Sequence, residues 1–134
     1  MNSLKGHIDE ITVNGSMSLV AIDVGAELIL KSIVIDTPET VPYLRKGTQI
    51  NLLFKETEVI IASLENHHVS IQNRIPATVS HVENGVLLTK LDLKSGAGRI
   101  VSIISTEAFR EMQLKEGDKV LALIKLNEIM LSEC

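Results

Sequence analysis

Two lysines in closely similar surroundings are the residues of this chain whose type and spacing best suit chemistry. Lys55 follows an apolar segment that ends at Phe54, and Lys125 follows a similar segment that ends at Ile124, seventy residues later. A lysine at the end of a strand usually extends past apolar neighbours into solvent, which is the simplest interpretation of each lysine alone. Because the same context occurs twice, the alternative is that these ammonium groups hold a ligand.

The two contexts match because the chain contains one unit twice. With a shift of seventy residues, identical residues recur at Ser32 and Ser102, Ile33 and Ile103, Leu44 and Leu114, Gly47 and Gly117, Leu53 and Leu123, and Glu58 and Glu128. Asn2 matches Asn73 with a shift one residue longer, so one residue was gained or lost between. A repeat of this length indicates a duplicated small domain. We expect a first repeat over residues 1–66 and a second over residues 67–134.

Composition limits the class of protein. The 134 residues are 45% hydrophobic but only 2% aromatic, which predicts aliphatic cores. One repeat alone would be marginally stable, so the copies should pack together or oligomerise. No apolar run is long enough to cross a membrane, and the N-terminus does not resemble a signal peptide. Cys134 has no second cysteine to pair with, so we expect a cytoplasmic protein.

The elements that carry the lysines are predicted to be mostly strands. Each repeat begins with two apolar segments around an Asn-Gly pair, Asn14-Gly15 or Asn84-Gly85, which is a strong hairpin signal. A third strand and a brief helix follow, capped at Thr37 or Ser105. Two more strands close each repeat: 49–54 with 58–62, and 119–124 with 128–131. The predicted fold class is mainly β, with two tandem five-stranded OB-like barrels, each with one short helix.

The order of these motifs resembles the Mop domain, also called the molybdate-binding TOBE domain. That family begins with Ser-Ala-Arg-Asn, has an Ile-(Ser/Thr)-x-x-Ser helix start and a Leu-x-x-Gly turn, and ends with Lys-(Ala/Ser)-(Thr/Ser)-x-Val. The second repeat follows this order with Ser70-Ile71-Gln72-Asn73, Ile104-Ser105-Thr106-Glu107-Ala108, Leu114-Lys115-Glu116-Gly117 and Lys125-Leu126-Asn127-Glu128-Ile129. The first repeat begins later and keeps Leu44-Arg45-Lys46-Gly47 and Lys55-Glu56-Thr57-Glu58-Val59. A tandem pair of this kind is similar to the two-repeat molbindins.

The resemblance implies a protein that binds molybdate or tungstate for storage, homeostasis or sensing. A tetrahedral dianion needs N–H groups, hydroxyls and cations that are arranged before it arrives. By resemblance, one wall of the site comprises Ser70, Ile71, Gln72, Lys125 and Leu126. Ser105 would face this wall from a neighbouring copy. In the first repeat, Lys55 and the backbone of Glu56 take the positions that Lys125 and Leu126 hold in the second. The resemblance also implies a homo-oligomer, a trimer or a dimer.

The chain departs from the family's pattern at several positions. The family arginine is replaced by Gln72 in the second repeat and by Met1 in the first, and Pro38 and Ala108 stand where a helix-start serine is expected. Glu56 adds a carboxylate beside the first lysine. Losing one charged hydrogen bond costs about 1.5–3 kcal/mol. An alternative therefore stays open: a degenerate Mop/TOBE module that serves oligomerisation or regulatory protein interaction without tight oxyanion binding.

Other functional classes fit the sequence less well. A net charge of −4 and few aromatic residues do not suit direct nucleic-acid binding. The sequence has no phosphate loop or nucleophile motif of the kind that would indicate an enzyme. His67 and His68 lie in the segment that joins the repeats, where adjacent side chains on a strand would point apart. We therefore expect a solvated linker rather than a metal site, with metal bound only as the oxyanion.

Overall fold

The computed structural model describes residues 1–65 and 68–134, and within that range ten strands form two antiparallel five-stranded sheets. The strands of the first repeat are β1 (Asn2–Asn14), β2 (Met17–Asp23), β3 (Ile29–Val34), β4 (Gln49–Phe54) and β5 (Ile60–Ala62). Those of the second are β6 (Asn73–Asn84), β7 (Leu88–Ser95), β8 (Gly98–Ser105), β9 (Lys119–Ile124) and β10 (Met130–Glu133), with α1 (Thr106–Met112) between β8 and β9. The predicted class, mainly β with two five-stranded OB-like units, is confirmed.

The first strand of each repeat is long because it serves two neighbours. The beginning of β1 pairs with β4 and its end pairs with β2, with a register shift between Ile8 and Glu10. Strand β6 does the same with β9 and β7, with a register shift between Val79 and His81. Such a bulge bends the strand and increases its twist, which lets one strand contribute to both halves of a curled sheet.

The fifth strands are exchanged between the repeats. We predicted that residues 58–62 and 128–131 each close their own repeat, but β5 pairs with β9 of the second repeat, and β10 pairs with β4 of the first. The connecting residues 55–59 and 125–129 contain no Gly or Pro to reverse the chain. They form short 3₁₀ turns, Glu56–Glu58 and Leu126–Glu128, that lead to the other sheet. The division into repeats 1–66 and 67–134 stays a prediction.

The two hairpins differ at their turns. In the first repeat, Asn14 pairs with Met17, and Gly15 adopts φ +64° as the first of two central residues, which is the type II′ arrangement. In the second repeat, the last pair is Asn84 with Thr89, so the loop is longer. This longer loop presents Val86 and Leu87 to solvent, with exposed fractions of 89% and 80%.

The predicted helix of the first repeat is only one turn long. The Thr37 carbonyl accepts hydrogen bonds from the N–H groups of Thr40 and Val41, both at 3.0 Å, and no α-helix is present among residues 1–65. Pro42 disfavours helical backbone at Val41 and has no N–H to continue the ladder. In the second repeat the equivalent segment lacks proline and forms α1 over seven residues. The helix prediction therefore holds for the second repeat alone.

Serine hydroxyls join the repeats inside one shared core. The Ser32 hydroxyl donates to the carbonyl of Ile129 at 2.6 Å, and the equivalent Ser102 hydroxyl donates to the carbonyl of Val59 at 2.8 Å. Each bond ties the third strand of one repeat to the residue after the 3₁₀ turn of the other. No helix in the described part of the chain is long and apolar enough to span a membrane. Of the two linker histidines, His67 lies outside the described residues and His68 is exposed.

Candidate functional site

The two repeated lysines are held by the same local geometry. Lys55 and Lys125 each follow the last residue of a strand and cap a 3₁₀ turn with extended backbone, at φ −76° and φ −69°. The N–H of Glu58 donates to the Lys55 carbonyl at 3.0 Å, and the N–H of Glu128 donates to the Lys125 carbonyl at 3.1 Å. Both side chains are exposed, and neither ammonium forms an ion pair with a described residue. The sequence prediction of one lysine at the same structural point in each repeat is confirmed.

A cavity of about 220 Å³ lies beside Lys125. Its walls are Ile33, Ser70, Ile71, Gln72, Lys125, Leu126 and Asn127. The structure therefore brings together all five residues that were predicted to form one wall of the second-repeat site. None of the carboxylates in the described part of the chain lines the cavity, so no negative charge faces the Lys125 ammonium within it.

A buried asparagine, Asn73, connects the two repeats beside this cavity. The Asn73 side chain is 1% exposed; its oxygen accepts from the N–H of Lys31 at 2.7 Å and its nitrogen donates to the Lys31 carbonyl at 2.8 Å. These two bonds join the start of β6 to the open edge of β3. They bring Ile33 of the first repeat to the wall of a second-repeat cavity. Sequence reasoning missed Ile33 because this contact crosses between repeats.

An arginine positions the segment that carries Ser70. The Arg74 Nε donates to the carbonyl of Ile71 at 2.9 Å, and one of its terminal nitrogens donates to the carbonyl of Val69 at 3.0 Å. The guanidinium thus braces residues 69–71 from outside the cavity. Sequence reasoning missed Arg74, although the family arginine is absent at Gln72 and an arginine follows two positions later.

The first repeat has a counterpart pocket with different chemistry. It has a volume of about 380 Å³ and is lined by Met1, Asn2, Ser3, Glu56, Lys90, Arg99 and Val101. Asn2 connects the repeats as Asn73 does. Its side-chain oxygen accepts from the N–H of Val101 and its side-chain nitrogen donates to the Val101 carbonyl, both at 2.8 Å. Lys55 does not line this pocket. The predicted Lys55–Glu56 pair is therefore divided, with only Glu56 facing the space.

Charges in the first-repeat pocket are largely paired. The Glu56 carboxylate pairs with the N-terminal amine, whose hydrogen bond holds the pKa of Glu56 below its usual range. Arg99 pairs with Asp92, and Lys90 is close enough to Glu56 to lower the pKa of that carboxyl further. An entering anion would have to displace these partners.

Ser105 lies in a different pocket from Lys125 within one chain. Its hydroxyl caps α1 by accepting from the N–H of Ala108 at 3.0 Å. The surrounding pocket of about 610 Å³ is lined by Val86, Leu87, Ser105, Glu107, Arg110 and Glu111. The structure thus confirms Ser105 as a helix cap but does not bring it to the Ser70–Lys125 cavity of the same chain.

A carboxyl pair links the two lysine turns. Glu128 shares a side-chain hydrogen bond with Glu58, its counterpart in the first repeat. Partial burial raises the pKa of Glu128, and the hydrogen bond and charge of Glu58 raise it further, while Lys125 opposes the rise. The Glu58 carboxylate also accepts from the N–H of Lys55 at 3.2 Å. The two turns therefore touch through these acids.

The Lys125 cavity offers donors suited to a small anion. The N–H groups of Ile71 and Leu126 donate to no acceptor within the described part of the chain. The Ser70 hydroxyl and the Gln72 amide add polar donors beside the ammonium of Lys125. Among residues 1–65 and 68–134, no three His, Cys, Asp or Glu side chains cluster as they would around a metal ion. The chemistry of these donors is that of anion binding through hydrogen bonds.

Known proteins resemble this chain in sequence and in fold. A TOBE domain model matches residues 69–131. Molybdenum-pterin-binding proteins 1 and 2 of Clostridium pasteurianum are 31% and 30% identical over 64 residues, which is 47% of this chain and 94% of each relative. A molybdate-bound crystal structure of the cytoplasmic molybdate-binding protein ModG superposes with a TM-score of 0.91 at 24% identity, covering 99% of this chain and 96% of that one. The ModG likeness confirms the fold across both repeats.

Proposed function

We propose, from the premise that this chain belongs to the Mop/TOBE family and carries its repeat in tandem, that it binds molybdate or tungstate. The proposed role is intracellular molybdenum storage, homeostasis or sensing in the cytoplasm, without catalysis. The observation that carries this proposal is the cavity that joins Ser70, Ile71, Gln72, Lys125 and Leu126. The names of the relatives, which include molybdenum-pterin-binding and molybdate-binding proteins, support the choice of anion.

The donors of the cavity suit a tetrahedral dianion. Lys125 supplies one positive charge, and the free N–H groups of Ile71 and Leu126 supply neutral donors fixed by the backbone. Fixed N–H groups bind an oxyanion well because they lose little conformational freedom on binding. The lack of a carboxylate in the cavity wall favours an anion over a cation. Molybdate and tungstate share these requirements, and both are ligands in this proposal.

Isothermal titration with molybdate and tungstate tests the site directly, with sulfate as the control anion. We expect saturable binding of both metal oxyanions at micromolar concentration or below. Lys125→Ala should weaken binding at least about tenfold, because one charged hydrogen bond is lost. Lys46→Ala, which removes an exposed lysine elsewhere, is the matched control. An unchanged affinity in Lys125→Ala would overturn the site assignment.

A complete site in this proposal needs a neighbouring chain. Ser105 belongs to a different pocket from Lys125, so the serine that faces the anion comes from another copy in a homotrimer or a homodimer. The exposed Val86 and Leu87 beside Ser105 support such an interface, because a pair of large aliphatic side chains at a loop tip is a natural contact surface.

Light scattering after size exclusion tests this assembly. We expect a mass of two or three chains for the wild type. Leu87→Asp should shift the mass towards one chain and weaken oxyanion binding together. Ile35→Asp, at an equally exposed aliphatic residue of the first repeat, is the control and should leave the mass unchanged. A monomeric wild type that still binds molybdate tightly would contradict the shared site.

The second candidate function is an assembly module without tight oxyanion binding. Gln72 in place of the family arginine and the paired charges around Glu56 are the observations that favour it. Titration heat no larger than that of sulfate, from a protein that still forms oligomers, would select this function over the first.

A further inference from the structure

Two lysines flank a threonine across three adjacent strands of the second sheet. Thr78 on β6 pairs with Lys94 on β7 and also with Lys119 on β9. Directly opposed residues on antiparallel strands place their side chains on the same face of the sheet. Both lysines are exposed and Thr78 is half-buried, so this row faces outward.

The row lines a cleft that is separate from the proposed oxyanion site. The cleft has a volume of about 390 Å³ and shares no residue with the cavity beside Lys125. Leu64 and Pro76 form an apolar border, while Lys94 and Lys119 bring two positive charges. No Asp or Glu of the described residues lines this space.

The donors of the cleft are not used by the protein itself. Neither Lys94 nor Lys119 forms an ion pair within the described ranges, and the Thr78 hydroxyl has no hydrogen-bond partner there. Neighbouring strands lie about 4.8 Å apart, so the two lysine backbones are roughly 10 Å apart. Their flexible stems can converge on one ligand above Thr78.

The first repeat shows that the fold does not require these charges. Its equivalent row contains Asp23, His7 and Gln49, with His7 pairing both neighbours in the same way. There the His7 Nε2 lies 3.9 Å from the Asp23 carboxylate, and the row contains no lysine. Only the second repeat has two like charges around an unused hydroxyl. An anion bound between Lys94 and Lys119 would compensate these two positive charges.

We infer that this cleft binds a small organic phosphate monoester. The phosphoryl group would receive the two lysine charges and a hydrogen bond from the Thr78 hydroxyl, since lysine binds phosphate as a point charge. The organic part would contact Leu64 and Pro76, which an inorganic anion would leave unused. The chain has few aromatic residues for base stacking, so a small ester fits better than a nucleic acid.

Titration by ¹⁵N–¹H correlation NMR with phenyl phosphate as the probe tests this inference. We expect saturable shifts at the amides of Thr78, Lys94 and Lys119, with weaker binding of inorganic phosphate. Lys94→Gln and Lys119→Gln should each weaken phenyl phosphate binding roughly fivefold, less than a buried charged contact would because the cleft is open.

The matched control separates this site from the proposed oxyanion site. Lys125→Ala should leave phenyl phosphate binding unchanged, and Lys94→Gln should leave molybdate binding unchanged. Non-saturable shifts, or shifts abolished by Lys125→Ala, would overturn the inference. Equal affinity for phenyl phosphate and inorganic phosphate would overturn the assignment of an organic ester. Circular dichroism of each variant checks that the fold is retained.

Discussion

The two pockets beside Asn73 and Asn2 share the same architecture but differ in how their charges are paired. Asn73 and Asn2 make equivalent pairs of backbone bonds across the repeats. Beside Asn73, the pocket has one lysine and no acid. Beside Asn2, the pocket has three cationic groups, the N-terminal amine, Lys90 and Arg99. The amine pairs with Glu56, and Arg99 pairs with Asp92. A duplicated scaffold can thus preserve the geometry of a site while its charge is rearranged.

The difference arises at one position of the 3₁₀ turn. The residue after the lysine is Leu126 in the second repeat and Glu56 in the first. Leu126 has no polar side chain and offers the cavity only its N–H. Glu56 has a carboxylate, which forms an ion pair with the N-terminal amine. This one substitution therefore places a paired acid in the first-repeat pocket, where the second-repeat cavity has an aliphatic residue.

The largest effect is expected from removing the anchors that the pockets share. Asn73→Ala and Asn2→Ala should each lower the free energy of unfolding by about 2–4 kcal/mol. Each leaves a backbone N–H and carbonyl without partners, which are partly buried at Lys31 and buried at Val101. Urea unfolding measures this. Similar losses in the two variants would show that the anchors are equivalent, and a loss below about 1 kcal/mol in either would contradict that equivalence.

The second largest effect is expected from the two lysines, which should differ in their contribution to oxyanion binding. Lys125→Ala should lose about 1.5–3 kcal/mol of oxyanion binding free energy, the value of a charged hydrogen bond. Lys55→Ala should change affinity less than about twofold, because Lys55 does not line the first-repeat pocket. Isothermal titration of both variants in parallel provides the comparison. Equal losses would mean that the two repeats bind alike.

Neutralising the acid should make the pockets more alike. Glu56→Gln frees the N-terminal amine and leaves Lys90 and Arg99 facing less negative charge. Anion affinity at the first-repeat pocket should rise by up to about fivefold, the value of one exposed ion pair. Glu10→Gln, an exposed acid elsewhere, is the control. No gain in anion affinity from Glu56→Gln alone would show that Asp92 or the pocket's shape limits binding.

Sequence reasoning reached the features of this comparison that depend on local pattern. The repeat and the strand endings at Lys55 and Lys125 follow from short motifs. The wall from Ser70 to Gln72 follows from the family resemblance that those motifs carry. The exchange of β5 and β10 does not, since it depends on which sheet edge a short strand meets in space. The cations of the first pocket, Lys90 and Arg99, were missed for the same reason: they come from the other repeat. The short length of the helical turn in the first repeat could have been predicted from Pro42. Proline at that position prevents a longer helix despite the capping signals at Thr37.

The smallest effect concerns the acids that connect the two lysine turns. The raised pKa of Glu128 means that the fold favours its protonated form, so its ionisation lowers stability as pH rises through the raised pKa.

Glu128→Gln removes that loss of stability and keeps a hydrogen-bond donor for Glu58. The variant should therefore be more stable than the wild type at pH 7.5, by less than about 1 kcal/mol because the pair is partly solvated. The gap should close as pH falls towards the ordinary range of a glutamate. Other groups near the pair are Lys125 and the backbone N–H of Lys55. Urea unfolding of both proteins at several pH values measures the gap, and one that widened at low pH would show that the two acids do not share a proton between the repeats.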